Sequence, residues 1–409
     1  MGHVSVAEHR AAVERLLADG STETVALDRR AAGRRLAADL VAADDLPRFD
    51  SSAMDGYAVH PDPSGQCRYP VVGDVPAGAA PDFALAPGEA ARVMTGARLP
   101  VGTAFVVPVE LTDASPTGPA PVEVTVTTAG WTAGSTGAPA GVPPRRHVRE
   151  RGEDVRAGAV VAVPGAEVTP ALIALGRSAG CTTVEVRRRT RLAVVATGAE
   201  LVPAATDPGA GGIHESNSDM VAALAEAAGC VVTRVEVCSD DPAQLRALLD
   251  ELDADPQVDV VVTTGGVSAG AYEVVRQVCS PLPTFAFVHL AMQPGGPQGL
   301  GRYGSTPVVC LPGTPVGAFV AFHVLVRPAL DRRHGVPAAG PVRAAYAGRT
   351  RHTRAGRVQF LTSVLHADGT VTAPDARHLT ALAAATCLIE VPEAVDEVVA
   401  GDVVVVHPV

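Results

Sequence analysis

The feature that most constrains this chain is a series of short, mostly apolar segments between residues 192 and 311. Each ends on a loop of small or polar residues. Leu192 to Ala196, Val231 to Val237, Asp259 to Thr264 and the run Val308-Val-Cys-Leu311 read as strands. Between them lie helical patterns: Ser218 to Ala228, stopped by Gly229, and Pro242 to Leu252, with proline in the first turn. A further helix starts near Val316. Apolar strands alternating with helices predict a mainly parallel sheet covered on both faces, with right-handed crossovers.

The rest of the chain has a different texture, and 409 residues are too many for one core. A helix is predicted from Val6 to Leu17, with Ser5 as N-cap and Gly20 beyond its end. A second is predicted from Asp28 to just before Pro47. From Pro47 to Arg145, short β-rich runs such as Ala104-Phe-Val-Val-Pro and Val122-Glu-Val-Thr-Val alternate with Gly and Pro, as in a small β domain. Thr127 to Pro144 reads as a mobile loop or hairpin end. Residues 148–186 read as an extended segment and then a helix, with Thr169 as N-cap, Pro170 first and Gly180 just past the end. After Pro328 the runs at Val358, Leu388 and Val403 predict a C-terminal β module, and no internal repeat is visible.

Composition excludes several classes of function. All 33 basic residues are arginine, and the net charge is −11. An acidic chain without basic runs argues against nonspecific nucleic-acid binding. Seven cysteines (Cys67, Cys181, Cys230, Cys238, Cys279, Cys310, Cys387) are scattered with no C-x-x-C pair. That spacing predicts reduced thiols in a cytoplasmic setting and argues against a zinc site. Met1 to Leu17 has no apolar h-region, so no signal peptide is expected. No apolar stretch is long enough to predict a membrane span.

In an open parallel sheet, ligands bind beyond the carboxyl ends of the strands. Four loops fall there: Ala196-Thr-Gly-Ala-Glu200, Cys238-Ser-Asp-Asp241, Thr263-Thr-Gly-Gly-Val-Ser-Ala-Gly270 and Leu311-Pro-Gly-Thr-Pro315. Gly265-Gly266 lets backbone N–H groups approach a phosphate. A tight βα turn is the plainer reading, but the hydroxyls of the flanking Thr and Ser residues favour an anion. Asp241 reads as the cap of the next helix, leaving Asp240 to face the cleft. Glu200, just past a strand end, is placed to hold Mg²⁺, or is a surface acid in a turn. Outside this region Asp50-Ser-Ser-Ala-Met-Asp-Gly-Tyr-Ala-Val59 is an unusual linker. Asp55 is its candidate functional acid, with Met54 and Tyr57 as packing residues. Met94-Thr-Gly-Ala97 and Arg151-Gly-Glu-Asp-Val155 are similar turns carrying polar side chains.

Together these segments resemble the molybdopterin molybdenumtransferase family, which includes the gephyrin E domain. The resemblance rests on Ser52-Ala-Met-Asp-Gly-Tyr-Ala-Val59, Val93-Met-Thr-Gly-Ala97 with Leu99-Pro100, Arg151-Gly-Glu-Asp154, Thr197-Gly with Glu200-Leu201, Ser216-Asn-Ser218, Asp240-Asp241, Thr264-Gly-Gly-Val-Ser268, Met292 to Gly299, and Leu311-Pro-Gly with Pro315. Nine stretches in the family's order are highly specific. The resemblance implies a multi-domain α/β plus β fold. Residues 1–46 and 147–186 would form a helical and extended linking domain, and 47–146 a β-rich domain. Residues 187–331 would form a three-layer α/β molybdopterin-binding domain, and 332–409 a C-terminal β-barrel-like domain. It implies a homodimer whose cleft is shared between subunits, setting Asp55 and Thr95 opposite Gly265, Ser268 and Pro312.

The implied reaction takes adenylated molybdopterin and molybdate with Mg²⁺, and yields molybdenum cofactor and AMP. Catalytic positions carried over are Asp55, Thr95, Glu200, Asp240 and Glu273, with Glu200, Asp240 and Asp55 as metal ligands. Thr197, Ser218, Gly265, Gly266, Ser268, Pro294, Pro297, Pro312 and Pro315 would bind the substrate. Implied partners are molybdopterin adenylyltransferase and acceptor molybdoenzymes. Several positions depart from the family pattern. Ala199 and Ala271 replace acids, Thr314 an Asn, Gly317 a Ser, and Asp375-Ala-Arg-His-Leu379 a Ser-rich motif. In Pro294-Gly-Gly-Pro297 the family's lysine is Gly296, leaving Arg302 or Arg276 as candidate cations. Two alternatives follow: a non-catalytic pterin-binding paralogue or scaffold, and molybdopterin adenylyltransferase, which shares the Gly-Gly-Val-Ser loop but needs only one domain.

Overall fold

A computed structural model describes the chain except residues 1–3, 19, 63, 128–131, 134–138, 141–144, 269, 271–272, 339 and 375–377. The described chain divides into two compact units, residues 24–186 and residues 1–23 with 187–409.

The second of these holds a six-stranded sheet. Its order is Val231–Cys238, Arg191–Thr197, Val260–Thr264, Thr306–Leu311, Pro297–Tyr303, Ala286–His289. The first four strands are parallel, and the last two complete the sheet antiparallel. Alternation within each strand serves two cores. Leu192 and Val194 pack with Val260, Val262 and Val309 against Val221 and Ala225 of the helix Asn217–Ala227. Ala193 and Val195 face the other way, with Val261 and Val308 against Leu245, Leu249 and Leu252 of Pro242–Ala254. Both faces are covered over the central strands Arg191–Thr197, Val260–Thr264 and Thr306–Leu311, so these have no polar side to show.

The helix Val6–Leu16 starts with a capping box in which the Ser5 hydroxyl and the Glu8 carboxylate each accept from the other's end. Its buried stripe Val6, His9, Val13 follows helical spacing. The stripe packs on a continuous helical stretch made of Pro315–Ala321, a π turn over Phe322–Val326, and Arg327–His334. This helix therefore groups with the α/β sheet and not with residues 147–186.

The helix expected from Asp28 to Pro47 is absent. Asp28 caps only one 3₁₀ turn, Arg29–Ala31. The chain then runs extended, with Leu36 bridged to Val186 and Leu40–Val41 paired with Val160–Ala162. Leu27, Ala31, Leu36 and Leu40 pack on Val168, Val184 and Val186. Tertiary pairing overrides the local pattern here, and Gly33 at φ +76° breaks the turn. The helix Pro170–Ser178 forms as expected, capped by Thr169 and followed by Gly180 at φ +81°.

The β-rich region is a five-stranded sheet ordered Phe105–Pro108, Gly56–Val59, Ala90–Val93, Arg68–Val75, Glu123–Thr125. Most of the expected loop from Thr127 to Pro144 lies outside the described residues. Within it Thr132–Ala133 pairs antiparallel with Pro139–Ala140. At the C-terminus five strands close a barrel: Val358–Leu365, Thr370–Thr372, Val342–Tyr346, Val403–Pro408, Cys387–Val391, and back to Val358–Leu365. Short strand Met292–Gln293 joins Val358–Leu365 in parallel and leads straight into the loop at Pro294. Among the described residues no helix is long and apolar enough to cross a membrane.

Candidate active site

The four rim loops predicted from sequence meet around one cavity of about 580 Å³. It lies at the carboxyl ends of the parallel strands. Thr197, Glu200, Asp240, Gly265, Gly266, Ser268, Glu273, Pro297, Pro312 and Pro315 all line it.

The glycine loop is shaped by close approach. Gly265 and Gly266 sit at φ +93° and +65°, a region that L side chains rarely enter. A Cβ on Gly265 would lie 2.5 Å from the Thr197 carbonyl oxygen, and one on Gly313 would lie 3.2 Å from the Gly265 Cα. Loops from three strands therefore touch through backbone alone. The Thr264 hydroxyl donates to the Pro312 carbonyl at 3.0 Å.

Asn217 stitches these loops together, a role missed in the sequence. Its Nδ2 donates to Thr264 Oγ1 at 3.1 Å and to the Gly313 carbonyl at 2.7 Å. The carrying motif, Ser216-Asn-Ser218, was visible, but Ser218 was the residue singled out. Ser218 is buried and does not line the cavity; its hydroxyl donates to Glu215 Oε2 at 2.6 Å. Glu215 also accepts from the backbone N–H groups of Asn217 and Ser218. This carboxylate occupies the start of the helix Asn217–Ala227, where the dipole favours negative charge.

The acids divide by task. Asp241 accepts from Ala243 N at 2.8 Å and caps its helix. Asp240 faces the cavity, one oxygen accepting from Ala199 N at 3.1 Å. Glu273 accepts from Ser268 N at 2.8 Å, so it shapes the glycine loop. Glu200 lines the cavity, and its carboxylate accepts no hydrogen bond among the described residues. The described lining holds four carboxylates (Glu200, Glu215, Asp240, Glu273) and no arginine. Neither candidate cation lies in it. Arg276 donates to the Ser268 carbonyl and stacks over Phe287, and Arg302 is tied to the carbonyls of Ser305 and Leu16. At Gly296 a Cβ would fall 2.7 Å from His289 Nε2. The exposed His289 imidazole occupies that space and would have to swing aside to admit a side chain. Pro294 follows a cis peptide bond and does not itself line the cavity, whereas Gly295 and Pro297 do.

Thr197 Oγ1 is buried in the cavity wall with no hydrogen-bond partner among the described residues. An unsatisfied buried hydroxyl costs about 1–3 kcal/mol. Thr197→Val keeps the shape and removes that penalty. Its expected outcome is a gain of about 1 kcal/mol in unfolding free energy by chemical denaturation, together with weaker ligand binding. Unchanged affinity would show that the hydroxyl is not reserved for a ligand.

Asp55 and Thr95 lie together in the other unit, where Thr95 donates to Asp55 Oδ1 from its N–H at 2.6 Å and its hydroxyl at 2.8 Å. Those two bonds hold the exposed carboxyl below the usual carboxylate range. Ala271 and residues 375–377 of the departing motif lie outside the described residues. No group of three or more His, Cys, Asp or Glu residues forms a ready-made metal cage among the described residues. Glu200 and Asp240 offer hard oxygen donors, which suit Mg²⁺ bound by one or two carboxylates plus phosphate oxygens.

A strand-end cavity with a glycine loop on a mainly parallel sheet defines a class of phosphate- and nucleotide-binding α/β proteins. Residues 193–332 match the family described as "Probable molybdopterin binding domain", and residues 4–180 match "MoeA N-terminal region (domain I and II)". The chain is 40% identical over 414 residues to molybdopterin molybdenumtransferase 2 of Mycobacterium tuberculosis, covering 97% of each chain. It is 33% identical over 416 residues to molybdopterin molybdenumtransferase 1 of that organism, covering 91% and 92%. A crystal structure of a molybdopterin biosynthesis MoeA protein from Pyrococcus superposes with TM-score 0.81 at 27% identity, covering 100% of this chain and 99% of the other. The chain belongs to the molybdopterin molybdenumtransferase family, and it is a transferase of molybdenum cofactor synthesis. Full-length relatives of that name do not fit the adenylyltransferase or scaffold alternatives.

Proposed function

We propose that the chain transfers molybdenum from molybdate to adenylated molybdopterin, releasing AMP and giving molybdenum cofactor. The observation that carries this reading is a glycine-rimmed cavity whose described lining has carboxylates and no guanidinium. A pyrophosphate-bearing ligand there needs a divalent cation to offset the acids. Glu200 and Asp240 would hold Mg²⁺, which would neutralise the pyrophosphate and favour its cleavage. The turned backbones of Gly265 and Gly266 would let the phosphates approach main-chain N–H groups. Asn217, holding the Thr264 and Gly313 loops, would fix the spacing between the pyrophosphate and the oxyanion end of the site. Loops Pro294–Pro297 and Leu311–Pro315 would receive molybdate, with Thr197, Ser268, Pro312 and Pro315 against the pterin.

No protein nucleophile is needed, because the dithiolene sulfurs displace the oxygens of molybdate. In this reading the chain works as a cytoplasmic homodimer, and Asp55, held by Thr95, faces the cavity of the second subunit as a further metal ligand. The four-domain division at 47, 147, 187 and 332, with helix Val6–Leu16 packed on the α/β part, and contacts with molybdopterin adenylyltransferase and acceptor molybdoenzymes, belong to the same reading. The test is AMP release from adenylated molybdopterin with Mg²⁺, with and without molybdate. Molybdate-dependent release is expected. Tight pterin binding with no release under either condition would overturn the proposal.

A further inference from the structure

The α/β cavity has no arginine in its described lining, yet a second cavity, in the unit of residues 24–186, concentrates them. It measures about 420 Å³ and is lined by Arg48, Arg98, Arg145 and Arg151, with Phe49 on its wall and Asp50 as its one carboxylate. In a chain of net charge −11, four guanidiniums facing one hollow with a single carboxylate on its wall are a local concentration of cations at that wall.

Three of the four are anchored by acids. Arg48 pairs with Asp44 at 3.5 Å, Arg151 with Asp45 at 2.5 Å, and Arg145 with Glu150 at 2.6 Å and with Asp50. Asp44, Asp45 and Glu150 do not line the cavity. A guanidinium has five N–H donors, so one carboxylate leaves donors over for a second acceptor. Arg98 has no carboxylate partner among the described residues; its guanidinium lies 5.8 Å from the centroid of the Phe49 ring. Arg145 is held at φ +60°, which costs a non-glycine residue of order 1–3 kcal/mol. That conformation coincides with its two ion pairs at the cavity wall. The position is also local to the Asp55–Thr95 turn, because Ser51 is bridged to Arg98 and Ser52 accepts from Gly96 N.

The geometry points to this hollow as a binding site for a small tetrahedral oxyanion, a dianion such as molybdate, sulfate or phosphate. Planar guanidinium forks match such oxygens in pairs. Arg98 is exposed, with its guanidinium over the Phe49 ring on one side and open to an anion on the other. The inference does not depend on chemistry at the α/β cavity.

The test is calorimetric titration of the full chain, without pterin, with sodium molybdate, sulfate and phosphate at low ionic strength. Saturable binding is expected, weakened roughly tenfold or more by Arg98→Ala. Arg98→Lys should lose less, and Arg276→Ala, beside the other cavity, should change nothing. Preference for molybdate would assign the site to that substrate, and equal affinities would assign it to tetrahedral dianions generally; either outcome supports the site. Absence of saturable binding would overturn it. So would binding that survives Arg98→Ala and is lost in Arg276→Ala. If Arg98→Ala loses its native circular dichroism, Arg151→Gln removes a second wall charge from a side chain that is 68% exposed.

Discussion

Glu200→Gln and Asp240→Asn should each lower molybdate-dependent AMP release by roughly 10²- to 10³-fold, the usual loss when one preorganised stabilising group is removed. Both changes keep size and remove charge. Asparagine at 240 can still accept from Ala199 N, so the loop should keep its shape and the protein its stability. The loss should fall on kcat more than on pterin binding, which rests on the glycine loop. Raising Mg²⁺ should recover part of it. A variant with wild-type AMP release would remove that acid from the metal site. If neither charge matters, the lining would have to be read as a solvated acidic rim.

The second large effect concerns acid stability. His9 is buried and His323 half-buried, each with an Nε2 that has no hydrogen-bond partner among the described residues. Burial pushes both imidazoles down to about 4, and Arg327 adds to the shift at His323. A histidine whose folded pKa lies below its unfolded value is bound as the neutral form. Its contribution is whole above pH about 6.5 and is lost as pH falls through that value towards 4. Each shift corresponds to roughly 3 kcal/mol lost by pH 4. Denaturant titration between pH 7 and 4 should show stability falling with a slope approaching two protons. His9→Leu with His323→Phe should flatten it. An unchanged slope in the double variant would place the acid lability elsewhere, in carboxylates such as Asp259, which Arg188 and Arg191 hold well below its ordinary range.

The parts legible in the sequence were those fixed by local rules. The central strands Arg191–Thr197, Val260–Thr264 and Thr306–Leu311 announced themselves through apolar runs. Asp241, Thr169 and Ser5 were legible as caps because capping is decided within four residues. The rim loops were legible because strand ends in a parallel sheet share one side. What could not be read depends on partners far along the chain. Asn217 acts on residues 47 and 96 positions away, and nothing beside it separates it from Ser218. The missing helix after Asp28 failed for the same reason, since its apolar residues answer to strands near 160 and 186. Arg302 looked available only until the carbonyls of Ser305 and Leu16 were seen to claim it.

The two sheets of the larger unit end differently. The C-terminal barrel closes on itself through Val358–Leu365 and Cys387–Val391, so the ring has no open edge to offer another chain. The α/β sheet stops at Val231–Cys238, where Val231, Val235 and Val237 are 43%, 42% and 51% exposed. A β-branched border strand with unspent main-chain hydrogen bonds is a template for intermolecular pairing. Arg234, held between Glu236 and Glu251, and Glu236 itself put charges of both signs on this strand, the kind of residues that discourage edge pairing. Salt that screens these charges weakens that guard on the border strand.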